Sequence, residues 1–565
     1  MTPLLRTLAT VPLLAGLGAP ARPASPSPER FDVVVYGGNA AGVVAAVQAR
    51  RMGRTAVLLE PGHRLGGLTS GGLGNTDIGN KAAIGGLARR FYEKVAAHYA
   101  RPEAWVHETR EEYERRSAIG NQGHGRPDPV AARSGVPTMW VFEPGVAERI
   151  LRGMAEQAGV VVRHGERLDL AGGVAKKGAT LLSVRMESGR AYEGRIFVDA
   201  TYEGDLMAKA GVSYHVGREA NAVYGETLNG VQTRNATQHQ FKARVDPYVV
   251  PGDPRSGLLP GVHDGGPGEE GSGDRRVQAY NFRMTLTDAP ANRLPVARPE
   301  GYDARRYELL RRYVEAGVFD AIDLNSPMPN RKTDVNNHGA FSSDHIGAND
   351  EYPDADHATR ERIFRDHAAY VRGLWYFLQN DERLPASVRE RAGRWGLCRD
   401  EFTDTGHWPH QLYVREARRM IGETVMTERH CRGTQRADDP VGLAAYGMDS
   451  HNVQRYVEGG AARNEGDVQV GVPGPYPVSY RAIVPRRGEA TNLLVPVALS
   501  ASHIAYGSIR MEPVFMILAQ SAATAASLAL DGNGVVQDVP YARLRERLLA
   551  DGQFLEWNTS GLDSR

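Results

Sequence analysis

Short apolar runs, each closed by glycine or an acidic residue and followed by helical spacing, dominate the first third of the chain. Residues 31–36 (FDVVVY) form a β-branched run of the kind buried on both faces in a parallel sheet, and 40–52 continue with helical composition. A second apolar run, 55–59, ends on Glu60. Residues 84–99 and 146–156 carry apolar side chains three and four apart and predict packing helices. Residues 160–163 and 195–199 predict further strands, and 206–210 a short helix. From 216 to 475 this strand–helix rhythm is lost. There, 277–286 is strand-like, 304–316, 358–378 and 385–393 predict helices, and polar loops rich in Asn, Asp and His separate them. A further helix is predicted over 413–421, carrying Arg415, Arg418 and Arg419. The first rhythm returns with an apolar strand at 493–499 and a long helix at 514–530 opened by Pro513, and 541–549 predict an amphipathic terminal helix. The pattern predicts an α/β fold in which a parallel-sheet domain is interrupted by an inserted α+β segment.

The turn between the first strand and helix carries the first chemistry. Gly37 and Gly38 permit a tight reversal, Gly42 lets helix and strand pack closely, and the open N–H groups at Ala40 and Ala41 offer a pyrophosphate site. Asn39 occupies the middle glycine position of G-x-G-x-x-G, a departure that the tolerance of Asn for unusual φ values accommodates. Glu60, at the end of the second strand, is placed to accept hydrogen bonds from an adenosine ribose. A glycine turn alone also occurs in α/β folds that bind nothing; strand, helix and acid in this order point to a dinucleotide.

A second glycine-rich loop, 62–74 (GHRLGGLTSGGLG), contains Arg64, Gly66, Gly67 and Thr69. A nicotinamide enzyme has little need of it, whereas the extended flavin dinucleotide runs past the first helix and is wrapped by such a loop. The segment 199–205 (DATYEGD) brings Ala200, Thr201 and Gly204 beside the first turn and offers the Asp205 carboxylate to a sugar hydroxyl; the same residues would also simply cap the helix that follows.

Together DVVVYGGNAAG, Glu60 with GHRLGGLTSGGLGNTD, and FVDATYEGDLMAKAGVSYHVGRE resemble the FAD-dependent oxidoreductases of the glutathione-reductase-like flavoprotein superfamily, in particular a bacterial group some of whose members are named putative xanthan lyase. Residues 332–347, 404–423 and 498–526 resemble the same group, so the likeness spans nearly the full mature chain. It implies a discontinuous Rossmann-like FAD-binding domain, residues 31–215 and 476–535, with a cap or substrate domain inserted at 216–475 and a C-terminal helical extension at 536–565. It implies FAD contacts from the residues of both glycine loops and DATYEGD named above, with Val162 on the third strand and Ile509 and Arg510 before the last long helix. The positive N-terminus of that helix and Arg510 would stabilise reduced flavin. His503, in the same stretch, is the first choice for the base that takes a proton during substrate oxidation, because an imidazole titrates near neutrality.

The insertion offers rival chemistry. His407 and His410 lie in GHWPHQ, and with Arg415 they would hold an anionic or hydroxylated substrate and move a proton; helix capping and ion pairs with Glu416 and Glu423 explain them equally well. Pro409 breaks the H-x-x-H spacing and no third ligand follows, so no metal site is read there. Asn336, Asn337, His338, Asp344 and His345 form either a self-tied polar loop or a sugar site. The expected activity is hydride removal from a small polar substrate, a sugar or polyol among the candidates. The alternatives are a flavin monooxygenase or reductase using NAD(P)H, and a secreted carbohydrate-binding scaffold with structural FAD.

Composition narrows this little. A net charge of +1 over 565 residues gives no basic field for nucleic acid. Thirteen of the 64 glycines fall between Gly37 and Gly86, which concentrates close backbone approach at the proposed cofactor loops. Residues 1–21 read as a signal peptide, with Arg6, an apolar stretch at 8–17 and Ala19-Pro20-Ala21, and 22–30 as a linker, so secretion or a periplasmic location is expected, with no membrane span in the mature chain. Two cysteines, Cys398 and Cys431, allow one bridge or two isolated thiols.

Overall fold

The computed structural model describes residues 27–117 and 128–557; the leader read in 1–21 and the start of the linker lie outside them. In chain order the cofactor-side elements are β1 (Glu29–Tyr36), α1 (Ala40–Arg51), β2 (Ala56–Glu60), α2 (Gly86–Tyr99), α3 (Pro144–Gln157), β3 (Val161–His164), β4 (Val174–Lys177), β5 (Thr180–Arg185) and β6 (Ala191–Asp199). The sheet order is β3-β2-β1-β6-β5-β4. β1 lies at its centre, parallel to β2 from Val33 opposite Ala56 to Tyr36 opposite Leu59, and parallel to β6 on its other side. β4 and β5 extend the sheet antiparallel. Leu493–Leu494 then returns from late in the chain to pair in parallel with Phe197 and Val198 of β6.

α1 is built almost wholly of Ala, Val and Gly because it is enclosed from Ala40 to Ala49, packed against the alanine-rich helix Glu512–Asp531. That late helix is the one described helix long and apolar enough to cross a membrane, and its sides are enclosed by the fold, which makes it a core helix.

The inserted stretch forms a five-stranded sheet, with Met284–Thr287 between Lys332–Val335 and Gly396–Cys398, and a long helix α4 (His357–Asn380) whose Phe364 ring meets Phe282 edge-on just before Met284. One apolar cluster joins Val33, Val44 and Phe91 of the first part to Tyr307, Trp375 and Leu378 of the insertion. The DATYEGD turn contributes polar ties: Arg360 of α4 binds both Asp205 oxygens at 2.6 and 2.9 Å, Arg418 adds a bond at 2.7 Å, and Tyr352 donates to Glu203 at 3.0 Å.

The helix expected over 413–421 is absent. Tyr413 N–H donates to the Asn281 carbonyl, and Arg419–Met420 pairs antiparallel with Tyr214–His215. A helix would place Arg415 and Arg419 on one face. In the extended chain their buried guanidiniums reach separate carboxylates, Asp344 for Arg415 and both Glu219 and Glu416 for Arg419. Two shorter differences follow. The strand expected over 493–499 is two residues long, and α5 (His503–Ile509) occupies the stretch before Pro513 for which no helix is predicted, its N-terminus capped by the Ser502 hydroxyl. Cys398 and Cys431 are separate buried thiols.

Candidate active site

At the carboxyl ends of β1 and β2 lies a cavity of about 470 Å³, lined by the first glycine turn, Glu60, Arg64, Gly67, Thr201 and Tyr202. The turn is a cradle from which Cβ atoms are excluded. Gly37 has φ +102°, and a Cβ there would meet the Thr201 nitrogen at 2.9 Å; a Cβ on Gly42 would meet the Gly37 carbonyl oxygen at 1.8 Å. Asn39 has an ordinary extended φ of −67°, so its tolerance of unusual φ is not what the turn uses. Its carboxamide instead caps α1, accepting from Gly42 N–H at 2.9 Å and donating to the Ala200 carbonyl.

Glu60 accepts from Gly38 N–H at 2.7 Å and Gly62 N–H at 2.6 Å, and burial pushes its carboxyl up to about 7 against those bonds. A ribose hydroxyl reaching it would supply a further donor. The cavity therefore fits the adenosine diphosphate half of a dinucleotide, with the backbone turn toward the pyrophosphate and Glu60 toward the ribose. Arg64 lines the same space, ion-paired with Glu148 and Asp404. So does His410, neither of whose ring nitrogens has a hydrogen-bond partner among the described residues. Burial, with the charge of Arg64 adding to it, lowers His410 to about 4, so the ring is neutral.

The second glycine loop leads away from this cavity and is fixed by a buried carboxyl. Glu512, in the first turn of α6 (Glu512–Asp531), accepts from Thr69 at 2.6 Å and from Tyr202 at 2.7 Å, and the Tyr202 hydroxyl accepts from Leu68 N–H at 3.0 Å. Burial pushes Glu512 up to about 7. Farther along, a Cβ on Gly72 would lie 1.9 Å from the Arg283 carbonyl oxygen, and Gly74 and Asn75 N–H groups donate to Asp334. The loop thus connects the dinucleotide cavity to a buried polar cluster on the insertion.

In that cluster the Tyr413 ring is flanked by three guanidiniums, with Arg415 at 4.2 Å, Arg510 at 5.9 Å and Arg283 at 6.0 Å from its centroid. Arg510 donates to the Tyr413 hydroxyl at 2.9 Å and to the Asp449 carbonyl at 3.1 Å. Nearby, His503 opens α5 with Nδ1 2.8 Å from Glu416 Oε2, and its N–H donates to Glu219 at 3.0 Å. Burial alone would raise Glu416, but its neighbours His503 and Arg419 and bonds from His503 and Gln278 outweigh it and hold the carboxyl at about 2. Glu416 is thus a carboxylate that accepts the Nδ1 proton of His503.

The structure puts Arg415 and Arg510 over the Tyr413 ring and His503 on Glu416, the neighbour of Arg415, whereas His410 lines the dinucleotide cavity beside Arg64. His407, at φ +62°, holds the Glu401 carbonyl and lines neither space, so the expected His pair does not act as a unit. Asp205 differs from its expected part as a sugar ligand: its carboxylate is committed to Arg360 and Arg418, which lower it despite burial. Thr201 and Gly204 shape the turn, Thr201 bonding Asp199 and Gly204 N–H. Val162 pairs with Leu58 from the edge strand β3, and Ile509 is buried in α5. Gly66, at φ +110°, donates to the Gly38 carbonyl and joins the two loops. One group, His345, Asp366 and His367, brings three possible ligand atoms within 4.8 Å. Arg306 already stands 3.3 Å from His345 and from Asp366 there.

The family model described as FAD dependent oxidoreductase matches residues 32–548. The chain belongs to this family. FAD is the cofactor of the oxidoreductase, and the glycine turn, Glu60 and Thr201 are the residues that would hold it. Among solved structures, L-proline dehydrogenase from P. horikoshii is 18% identical, with 34% of this chain and 59% of that one covered and a TM-score of 0.23. L-amino acid deaminase from Proteus vulgaris is 17% identical, covering 34% and 52%, TM-score 0.23. OxyS anhydrotetracycline hydroxylase from Streptomyces rimosus is 17% identical, covering 34% and 36%, TM-score 0.22. The oxidoreductase thus spans between about a third and three fifths of these chains, and its own reaction is argued from its site.

Sequence reasoning missed Glu512, Arg283 and Tyr413, and named Glu416 only as an ion-pair partner, which it is for Arg419, without its bond to His503. Glu512 had a signal, being an acid directly before the Pro513 that opens a core helix. Arg283 lies in a strand-like stretch, where a charged residue between Phe282 and Met284 marks a buried ion pair.

Proposed function

We propose that this oxidoreductase removes hydride from a substrate C–H that bears a hydroxyl or amine, with the substrate held between the insertion at 216–475 and the stretch from His503 to Arg510. FAD, when bound to 31–215 and 476–535, supplies the hydride acceptor. The observation that carries the reading is the buried His503–Glu416 pair. An ionised carboxylate on Nδ1 fixes the imidazole tautomer and leaves Nε2 to take the substrate proton. Arg510 adds fixed positive charge beside the start of α6, which would stabilise negative charge on a reduced cofactor held there. Sugars, polyols and their acids suit the polar side chains around Tyr413. The leader read in residues 1–21 supports a location outside the cytoplasm.

Anaerobic mixing of the purified protein with panels of sugars, polyols, hydroxy acids and amines tests this through loss of flavin absorbance. Bleaching by one of these panels without NAD(P)H is the expected result. Bleaching by NAD(P)H alone would show a monooxygenase or reductase, and a flavin spectrum that nothing bleaches would show a scaffold.

A further inference from the structure

Four buried polar atoms around Tyr413 have no hydrogen-bond partner among the described residues: Arg283 Nη1, Arg510 Nε, Asp449 Oδ1 and Asn281 Oδ1. Leaving such groups unpaired is costly, so a cluster of four marks a place completed by something else. The pattern is selective. Arg415, the guanidinium nearest the ring, is tied by Nε to the Ala279 carbonyl and by Nη2 to Asn336, Asn337 and Asp344. Arg283 spends Nε and Nη2 on Asp334, and its Nη1 has only the Asp77 carboxylate, standing off at 3.8 Å. Arg510 spends both terminal nitrogens on Tyr413 and Asp449. Donors are thus left over on two guanidiniums, one from the insertion and one from the return to the cofactor domain, and acceptors are left over beside them.

We infer that this cluster binds the carboxylate of a 2-hydroxy or 2-amino acid, sugar acids included. Arg283 and Arg510 take the carboxylate, and Asp449 and Asn281 accept from the neighbouring hydroxyl or amine. A guanidinium matches a carboxylate in charge and in geometry, and a hydroxyl on the adjacent carbon supplies the donor that the leftover acceptors require. The inference rests on the reading proposed above and specifies its substrate. For a hydroxy acid, the C–H electron pair leaves as hydride to FAD, the O–H proton passes to His503, and a 2-oxo acid is formed. The same donors would also suit carbonyl oxygens of the flavin, and the test separates these sources.

The holoenzyme is titrated anaerobically with lactate, glycerate and gluconate and with the carboxamide of each, following both perturbation and bleaching of the flavin spectrum. The expected result is binding of at least one acid about 10- to 100-fold tighter than its amide, the range for a lost charge-assisted bond. Arg283→Lys and Arg510→Lys should weaken the acid by a similar factor and leave the amide unchanged. Acid and amide acting alike, or neither perturbing nor bleaching the flavin, would overturn the inference. So would lysine variants that shift FAD affinity or its potential while acid affinity stays the same, since the donors would then belong to the flavin. A neutral polyol that bleaches where every acid is inert overturns the carboxylate and leaves the oxidation reading standing. An acid that binds tightly and never bleaches supports the site and counts against oxidation.

Discussion

Replacing Glu512 by Gln tests whether a protonated carboxyl holds the second glycine loop. Burial raises this group from 4.5 to about 7 in the folded protein, against bonds from Thr69 and Tyr202. Between those values the folded state binds more protons than the unfolded state. The contribution is therefore fully present below pH 4.5 and lost as pH rises through 7. At 1.36 kcal/mol per unit, a shift of about 2.5 units makes the wild type roughly 3 kcal/mol less stable at pH 8 than at pH 4.5 through this group alone. Gln cannot ionise and keeps a constant contribution, offset by roughly 1 kcal/mol because its NH₂ must face a hydroxyl that now donates. Glu60 shares the upward shift and cancels in the difference between the two proteins. With an unfolding entropy near 2.1 cal/mol/K per residue, a chain of this size moves about 1 °C per kcal/mol. Thermal scans at saturating FAD should therefore show the variant gaining about 3 °C on the wild type between pH 4.5 and 8. A gap independent of pH would refute the reasoning, because Glu512 would then be ionised throughout or its environment would not be apolar.

Other outcomes follow from single contacts. Glu60→Ala should weaken FAD binding about 10- to 100-fold at pH 8, where the carboxyl is ionised, by removing a charge-assisted ribose bond, measured by equilibrium dialysis of the flavin. Asp205→Ala should cost about 3–5 kcal/mol in denaturant unfolding, because Arg360 and Arg418 lose their shared buried carboxylate. N-terminal sequencing of protein from the native host should begin near Arg22; an intact Met1 in a cytoplasmic fraction would contradict export.

The cofactor half was legible in the sequence because its signals are local. Gly37, Gly42 and Glu60 lie within one strand–helix–strand unit, and their spacing alone states the turn, the close packing and the ribose acid. Asn39 was legible as a departure, and its reason, a cap on α1 combined with a bond to Ala200, needed a contact 161 residues away. The polar cluster was hidden for the same cause. Glu416 meets His503 across 87 residues, Glu512 meets Tyr202 across 310, and Arg418 meets Asp205 across 213. Arginines at 415, 418 and 419 have helical spacing, but buried ion pairs on different sides of the chain outweigh helix propensity at a few tenths of a kcal/mol per residue. His410 drew notice beside His407, although Pro409 and the positive φ at His407 turn the two rings apart.

The most direct test of the account is the pH profile of anaerobic flavin reduction by an identified substrate in the wild type, His503→Gln and His410→Gln. If His503, oriented by Glu416, takes the substrate proton, His503→Gln should slow reduction by about 10²–10⁴-fold and lose the limb of the profile that the base creates. His410→Gln, once saturated with FAD, should reduce at the wild-type rate with the wild-type profile. Reduction of His503→Gln at the wild-type rate across pH, with the loss falling on His410→Gln instead, would contradict the assignment and place the base in the insertion.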